Sequence, residues 1–133
     1  MKAAFRFGSN YNLMHTIFVV DDSKMMRVFL GKLFEKHGIV HLFDSGESIL
    51  EELKCGKVPD FIFLDLNLPG VSGMHILDIL NNTYKHHHIK TYVVSGVDNS
   101  EERIECLARG AVDFIVKPFH PKELEFKFLH ALN

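Results

Sequence analysis

Polar side chains stand directly after four short apolar runs of this sequence. They supply carboxylates, a hydroxyl and an ammonium group: Asp21, Asp22, Asp65, Ser95 and Lys117. Carboxylate oxygens are ligands that Mg²⁺ accepts, and the ion keeps water positions that a phosphate oxygen can take. A lysine supplies a second positive charge for the same anion, and a carboxylate can attack phosphorus to form an acyl phosphate. These residue types therefore indicate a site that receives a phosphoryl group, with Asp65 as the predicted acceptor.

The three acids have to lie close together for this chemistry. Carboxylates a few ångströms apart repel one another, so near neutral pH such a cluster requires a bound cation or a raised pKa. We therefore expect a divalent ion of the Mg²⁺ type at Asp21, Asp22 and Asp65. Gly96, directly after Ser95, leaves space for the incoming group.

Alternating strand and helix patterns bring these residues to one edge of a sheet. Apolar runs predict strands at 16–20, 39–43, 61–64, 92–95 and 112–116. Helical spacing between and after them predicts helices at 24–37, 45–56, 74–84, 100–110 and 121–130. Strands that alternate with helices form a parallel sheet with helices on both faces. Because the carboxyl ends of parallel strands meet at one edge, we expect the polar residues to converge there.

Apolar residues of the last two helices predict how these helices pack. The fourth helix carries a stripe at i, i+3, i+4 and i+7, made of Ile104, Leu107, Ala108 and Ala111. Such a stripe is expected to face the core. On the last helix, Phe126 and Leu129 lie off the stripe of Leu124 and Phe128. These two residues either pack in the core or form a docking surface for a partner.

Cysteine and histidine residues give no sign of a second site. Cys55 and Cys106 lack the paired spacing of metal or redox centres, so we expect reduced thiols. Three adjacent histidines at 86–88 point in different directions, which favours a solvated loop over a metal site.

Length and charge limit the class of protein. A chain of 133 residues forms one domain, which we expect at 15–133 after a leader of uncertain order at 1–14. The formal net charge of -2 lacks the basic excess that favours nucleic acid, so direct nucleic-acid binding is not expected. No apolar run approaches the roughly 18 residues of a membrane span. We therefore expect a cytoplasmic protein without membrane insertion.

Four motifs follow one another along the chain: Val19-Val20-Asp21-Asp22-Ser23 with Arg27, Leu64-Asp65 through Pro69 to Gly73, Ser95-Gly96, and Lys117-Pro118-Phe119. In type and order they resemble the motifs of the response-regulator receiver domain of two-component signalling, and the resemblance covers residues 15–133. It implies an α/β fold of flavodoxin-like type. In that fold, a three-layer (βα)5 sandwich, the parallel five-stranded sheet has the order 2-1-3-4-5.

The resemblance also implies roles for the acids. Asp65 is then the phosphoacceptor. Mg²⁺, for which Mn²⁺ can substitute, is then bound by Asp22, Asp65 and the backbone carbonyl of Asn67, with Asp21 acting through a water molecule.

Three further residues take on roles by the same resemblance. Ser95 and Lys117 are expected to bind the phosphoryl oxygens. Phe114, three positions before the lysine, is the expected switch residue, and its ring turns inward when the Ser95 hydroxyl moves toward the phosphoryl group. Because Phe114 has no hydroxyl, inward packing is retained and polar recognition through this residue is lost.

The implied partners are proteins. A histidine kinase or a histidine phosphotransfer protein is the expected phosphoryl donor. A downstream protein is expected to dock on the face formed by helix 4, strand 5 and helix 5. Since nothing after Asn133 could form an output domain, we expect the signal to leave through another protein. A role as a phosphate sink or relay intermediate has the same chemistry.

Two other functions share some of these features. Aspartyl-phosphate hydrolases of the haloacid dehalogenase type usually have a second acid two residues after the nucleophile, where this chain has Asn67. Flavodoxin-like FMN binding requires a hydroxyl- and glycine-rich phosphate loop after strand one, where Asp21 and Asp22 would repel the phosphate. We therefore expect a signalling phosphoacceptor that catalyses only its own phosphorylation and dephosphorylation, not an enzyme with a separate substrate.

Overall fold

The computed structural model describes residues 15–132, so the leader expected at 1–14 lies outside the described residues. The strands are β1 (His15–Val20), β2 (Gly38–Phe43), β3 (Phe61–Leu64), β4 (Lys90–Ser95) and β5 (Asp113–Val116). The helices are α1 (Lys24–Phe34), α2 (Gly46–Lys54), α3 (Gly73–Thr83), α4 (Ser100–Ala108) and α5 (Pro121–Ala131). A short 3₁₀ turn at Lys85–His87 contains two of the three adjacent histidines, and its residues are exposed.

The five strands form one parallel sheet in the order β2-β1-β3-β4-β5. This confirms the α/β flavodoxin-like fold and its 2-1-3-4-5 order. The chain leaves β1 toward β2 on one side and continues from β3 to β5 on the other. A crevice forms at such a reversal, beyond the carboxyl ends of the strands. In this chain the crevice lies beyond the ends of the neighbouring strands β1 and β3. Asp21 and Asp65 directly follow these two strands.

Alternate residues of the strands supply two separate cores. Ile62 and Leu64 of β3 pack with α2, α3 and Cys106 of α4. Phe61 and Phe63 point to the opposite face and pack with α1 and α5. Aromatic rings dominate this second core, and Phe63 stacks on the ring of Phe34 with 4.4 Å between the ring centres. Because β3 is buried on both faces, its backbone gives Asp65 a rigid base.

Side chains at the helix starts explain where the helices begin. The oxygens of Ser23, Ser45, Ser72 and Asn99 each accept a hydrogen bond from a backbone N–H three residues later. Each of these bonds satisfies one N–H that the helix itself leaves without a partner, and such a cap is worth about 1 kcal/mol. Two of these caps, Ser23 and Asn99, fix the helices that follow β1 and β4, and so hold the loops at the candidate site.

Two of the predicted boundaries that differ from the structure have clear local reasons. Helix α1 ends at Phe34 and not at His37, because the His37 N–H bonds to the Phe34 carbonyl in a turn and its ring binds Glu125 of α5 at 2.6 Å. Strand β4 begins at Lys90, two residues before the predicted start. The backbone N–H of Lys90 bonds to the carbonyl of Asp60, so polar residues extend the strand before its apolar run.

The packing of α4 differs from the sequence prediction. Ile104 and Leu107 are 65% and 44% exposed, and Ala108 is exposed as well. The residue of α4 that the sheet buries is Cys106. Helical periodicity identifies an apolar stripe, but it does not specify which side of the helix meets the sheet. The expectation that this stripe faces the core is therefore wrong, except for Ala111, which is buried beyond the helix end.

The remaining sequence expectations concern membrane spans and thiols. No helix within residues 15–132 is long and apolar enough to span a membrane. Both cysteines are free thiols, Cys55 exposed and Cys106 buried. Burial, together with Glu102 and Glu105, raises the pKa of the Cys106 thiol to about 11, so this thiol stays protonated near neutral pH.

Candidate functional site

Asp65 is held at the end of β3 by backbone contacts. Its N–H donates to the carbonyl of Val20 in β1 at 2.9 Å, and the residue is only 5% exposed. The loop after Asp65 returns to the same place, where the Gly73 N–H donates to the Leu66 carbonyl at 3.1 Å. A Cβ atom at Gly73 would lie 2.4 Å from the carbonyl oxygen of Asp65. Only glycine therefore permits this approach of α3 to the strand that carries Asp65.

Asp21 and Asp22 meet Asp65 at this edge. Carboxylate oxygens of the three residues lie within 4.8 Å of one another. Asp21 is buried, and its Oδ1 accepts a hydrogen bond from the Ser23 N–H at 2.9 Å. Asp22 is exposed, so the cluster opens to solvent on its side. The convergence that the strand pattern predicted is thus present in the structure.

Lys117 joins two of these acids. Its Nζ lies 2.9 Å from Oδ2 of Asp21 and 3.5 Å from Oδ2 of Asp65. The backbone N–H of Lys117 donates to the Ser95 carbonyl at 2.7 Å, which aligns the end of β5 with the end of β4. Two of the three carboxylates thus share one ammonium group, and the cluster retains an excess of negative charge.

The surroundings of Asp65 raise its pKa above the usual range of an aspartate. Burial is the largest cause, because it disfavours the charged form. The carboxylates of Asp21 and Asp22 act in the same direction. The Asn67 N–H, which donates to Oδ1 of Asp65 at 3.0 Å, and Lys117 both oppose the shift. A divalent cation at the cluster would offset the repulsion among these carboxylates.

The donor set fits a hard divalent cation. Three carboxylates at one edge offer oxygen ligands only, which suits Mg²⁺ or Mn²⁺ and does not suit a thiolate-binding metal. The exposed side of the cluster, at Asp22, leaves room for water ligands and for a phosphate oxygen. The residues that could hold such an ion are therefore Asp21, Asp22 and Asp65.

Ser95 and Phe114 lie on the neighbouring strands β4 and β5. Ser95 is buried, and its Oγ accepts a hydrogen bond from the Val97 N–H at 3.2 Å. The serine is linked to Lys117 through the backbone. The ring of Phe114 is 4% exposed and packs inward with Cys106 and Ala111. The guanidinium carbon of Arg103 lies 5.4 Å from the centre of this ring.

A sequence profile described as the response regulator receiver domain matches residues 17–128. The chain belongs to this family.

Curated relatives of this receiver domain are longer proteins. The phosphate regulon transcriptional regulatory protein PhoB of Klebsiella pneumoniae is 33% identical over 112 residues, which cover 81% of this chain and 47% of PhoB. The cell cycle response regulator CtrA of Brucella ovis is 33% identical over 123 residues, covering 90% of this chain and 50% of CtrA. The chain thus spans about half the length of the curated relatives it matches.

Solved structures agree with the fold. The BeF3-activated receiver domain of DrrB, a Thermotoga maritima protein, superimposes with a TM-score of 0.82 at 26% identity, covering 90% of this chain and 97% of that domain. The receiver domain of the Francisella response regulator 1452 gives a TM-score of 0.76 at 28% identity, covering 87% and 94%. The resemblance to two-component receiver domains inferred from the four motifs is therefore confirmed.

Two arginines that contact predicted site residues were not assigned roles from the sequence. The Arg27 Nη1 donates to the Asp21 carbonyl at 2.8 Å and so fixes the loop that carries the first two acids. Arg27 belongs to the first motif, and its position on the helix after Asp22 was a signal for this contact. Arg103 gave no comparable signal, because its approach to Phe114 depends on how α4 is rotated on the sheet.

Proposed function

We propose that this receiver domain accepts a phosphoryl group on Asp65 from a histidine kinase or a histidine phosphotransfer protein, in a Mg²⁺-dependent reaction. The observation that supports the proposal most strongly is the position of Lys117. Its ammonium group contacts both the buried Asp21 and the acceptor Asp65 at an edge that Asp22 leaves open.

The transfer requires few covalent steps. A carboxylate oxygen of Asp65 attacks phosphorus, the new O–P bond forms, and the P–N bond of the donor phosphohistidine breaks. The bonding pair goes to the imidazole nitrogen of the donor. Positioning and charge neutralisation supply most of the catalysis in such reactions. Lys117 provides part of that neutralisation when its Nζ binds a phosphoryl oxygen.

When bound, Mg²⁺, or Mn²⁺ in its place, would supply positive charge that offsets the negative charge on the phosphoryl oxygens. In our proposal Asp22, Asp65 and the backbone carbonyl of Asn67 hold the ion, and Asp21 acts through a water molecule. Asn67 has a second role, because its N–H already orients the Asp65 carboxylate. Burial is the main cause of the raised Asp65 pKa, and an ion at this position would counteract the additional contribution from Asp21 and Asp22.

The signal leaves the site through Ser95 and Phe114. The Ser95 Oγ accepts the Val97 N–H, so its own proton is available to donate to a phosphoryl oxygen. Movement of this serine displaces the loop between β4 and α4, and this changes the surroundings of the Phe114 ring, which is already packed inward in this structure. We propose that a downstream protein reads this change on the face of α4, β5 and α5, which exposes Ile104, Leu107, Val112 and Phe126.

Labelling with acetyl phosphate tests the proposal. Wild-type protein with Mg²⁺ should gain one hydroxylamine-labile phosphoryl group, visible in the intact mass. Asp65→Asn should gain none, whereas Asp44→Asn, which changes an exposed aspartate after β2, should label like wild type. Equal labelling of wild type and Asp65→Asn would contradict the proposal.

A phosphate sink or relay intermediate has the same acceptor chemistry, and the identity of the partner separates these roles. Capture on immobilised wild type and Asp65→Asn, each with and without acetyl phosphate, distinguishes them. A protein retained only by the phosphorylated wild type is a downstream target. A second phosphotransfer protein that removes the label indicates a relay. We propose that residues 15–132 make no direct contact with nucleic acid, which a mobility-shift experiment on the same samples tests.

A further inference from the structure

Arg103 contacts the switch region at two points. Its guanidinium carbon lies 5.4 Å from the centre of the Phe114 ring. Its Nη2 lies 3.0 Å from Oδ1 of Asp98, which belongs to the loop between β4 and α4. That loop begins directly after Ser95 and contains Val97, whose N–H binds the Ser95 hydroxyl. One side chain thus connects the loop next to the phosphoryl-binding serine with the aromatic switch residue.

We propose that Arg103 is a positioning residue of the switch, which covers the inward Phe114 ring and couples its position to the loop after Ser95 through Asp98. The inference rests on the proposed function, because it assigns the regulation of the same site. It concerns a residue outside the four motifs, on the helix whose orientation the sequence did not predict.

The contact between Arg103 and the Phe114 ring is important because Phe114 has no hydroxyl. A phenylalanine makes no side-chain hydrogen bond, so its ring is held inward by burial and by whatever lies over its face. A guanidinium over an aromatic ring at a partly exposed site shifts an equilibrium by about two- to fivefold. The planar guanidinium also stacks on the ring in a way that a lysine ammonium does not. Arg103 therefore favours the inward position of the Phe114 ring. Different substitutions of Arg103 should weaken this preference to different degrees.

The contact between Arg103 and Asp98 makes the effect of Arg103 on the Phe114 ring dependent on the phosphoryl site. The Arg103–Asp98 pair is solvent-exposed, with the Asp98 side chain 71% accessible, so the pair by itself is weak. The role of this pair is to couple the position of the Arg103 side chain to the position of the loop between β4 and α4. When Ser95 moves toward a phosphoryl group, the loop moves with it and Asp98 changes its distance from Arg103. By thermodynamic linkage, a ligand of the phosphoryl site then favours one position of the ring, and the ring in turn changes the affinity for that ligand.

Beryllium fluoride with Mg²⁺ is a suitable probe, since a beryllium fluoride adduct activates the related DrrB receiver domain. We expect Arg103→Gln to weaken the apparent affinity for beryllium fluoride by about two- to fivefold, because it removes the cation from the ring. Arg103→Lys should lie between wild type and Arg103→Gln. Asp98→Asn should leave the ring signal of the free protein near that of wild type and reduce the change that beryllium fluoride produces in it.

The ring itself is followed by NMR of ¹³C-labelled phenylalanine, with the Phe114 signal assigned from Phe114→Leu. Arg109→Gln is the matched control, because Arg109 directly follows α4 and pairs with Asp78 of α3. Unchanged affinity and unchanged Phe114 signals in Arg103→Gln would overturn the inference, and so would equal changes in Arg103→Gln and Arg109→Gln. Failure of the proposed function is distinguishable, since the wild type would then neither accept a phosphoryl group from acetyl phosphate nor bind beryllium fluoride.

Discussion

The ammonium group of Lys117 lies 3.5 Å from a carboxylate oxygen of Asp65, at the ends of two strands that are not neighbours in the sheet. The same group is closer to Asp21, at 2.9 Å. In the proposed function, Lys117 exchanges a carboxylate partner for a phosphoryl oxygen when Asp65 accepts the phosphoryl group.

Mg²⁺ should stabilise the native state. An ion that binds only the folded protein adds about 2.7 kcal/mol to the free energy of unfolding at a hundred times its dissociation constant. Thermal unfolding with EDTA and with increasing Mg²⁺ measures this gain. Asp22→Asn should lose most of the gain, whereas Asp44→Asn should retain it. An unfolding temperature that does not respond to Mg²⁺ in the wild type would show that the carboxylates do not form a cation site.

The raised pKa of Asp65 predicts a pH-dependent stability. Because the native protein binds this proton more tightly than the unfolded chain does, the free energy of unfolding falls as pH rises from the unfolded pKa, about 3.9, through the raised native value. In EDTA, Asp65→Asn should therefore be more stable than wild type at neutral pH. The difference should shrink as pH falls toward the unfolded value. Urea unfolding of both proteins across this range provides the test, and a less stable variant at neutral pH would contradict the assigned cause.

Gly73 lies so close to the backbone of Asp65 and Leu66 that a methyl group at position 73 should destabilise the protein. In Gly73→Ala the new Cβ would lie 2.4 Å from the Asp65 carbonyl oxygen and 2.6 Å from the Leu66 Cα, both backbone atoms. Overpacking of this kind costs about 1–3 kcal/mol. Gly96→Ala is the matched control, because a Cβ there meets nothing within 4 Å. We expect chemical denaturation to show a clear loss for Gly73→Ala and little change for Gly96→Ala. Similar stabilities of the two variants would argue against the described packing of α3.

The observed orientation of α4 can be checked with a pair of isoleucines. Ile104 is 65% exposed, whereas Ile49 of α2 is fully buried. Ile49→Ala should cost about 2–5 kcal/mol, and Ile104→Ala should stay within about 0.5 kcal/mol of wild type. Urea denaturation measures both values. If Ile104→Ala lost as much free energy of unfolding as Ile49→Ala, this would indicate that Ile104 faces the core, as the helical periodicity predicts. If the stability prediction holds, Ile104→Ala should instead weaken capture of a downstream partner.

Much of the fold and the acid cluster followed from the sequence. Buried strands such as Phe61–Leu64 have continuous apolar runs, so the position of Asp65 at a strand end could be derived from the residues. The parallel arrangement then placed Asp21 and Lys117 at the same edge. The order of the strands came from the family resemblance, because alternation of strands and helices is compatible with several orders.

The parts that could not be predicted depend on tertiary contacts. In the structure, Cys106 and Ala111 pack in the same core cluster as Phe114, and this packing fixes the rotation of α4. The nine-residue helix has apolar residues on one side and a cysteine on another, so its sequence is compatible with two orientations. The Arg103 contact with Phe114 depends on that rotation. Likewise, β4 extends through Lys90 because its N–H pairs with Asp60, a bond that no local apolar pattern encodes.

The central claim is that Asp65 is the residue that carries the phosphoryl group. After labelling with acetyl phosphate and Mg²⁺, borohydride reduces an acyl phosphate to the corresponding alcohol, which marks the labelled aspartate permanently. Peptide mass spectrometry then locates it. We expect the reduced side chain at position 65 in the wild type and its absence in Asp65→Asn. Reduction at Asp21 or Asp22 instead, or a stable label with no reducible aspartate, would contradict it.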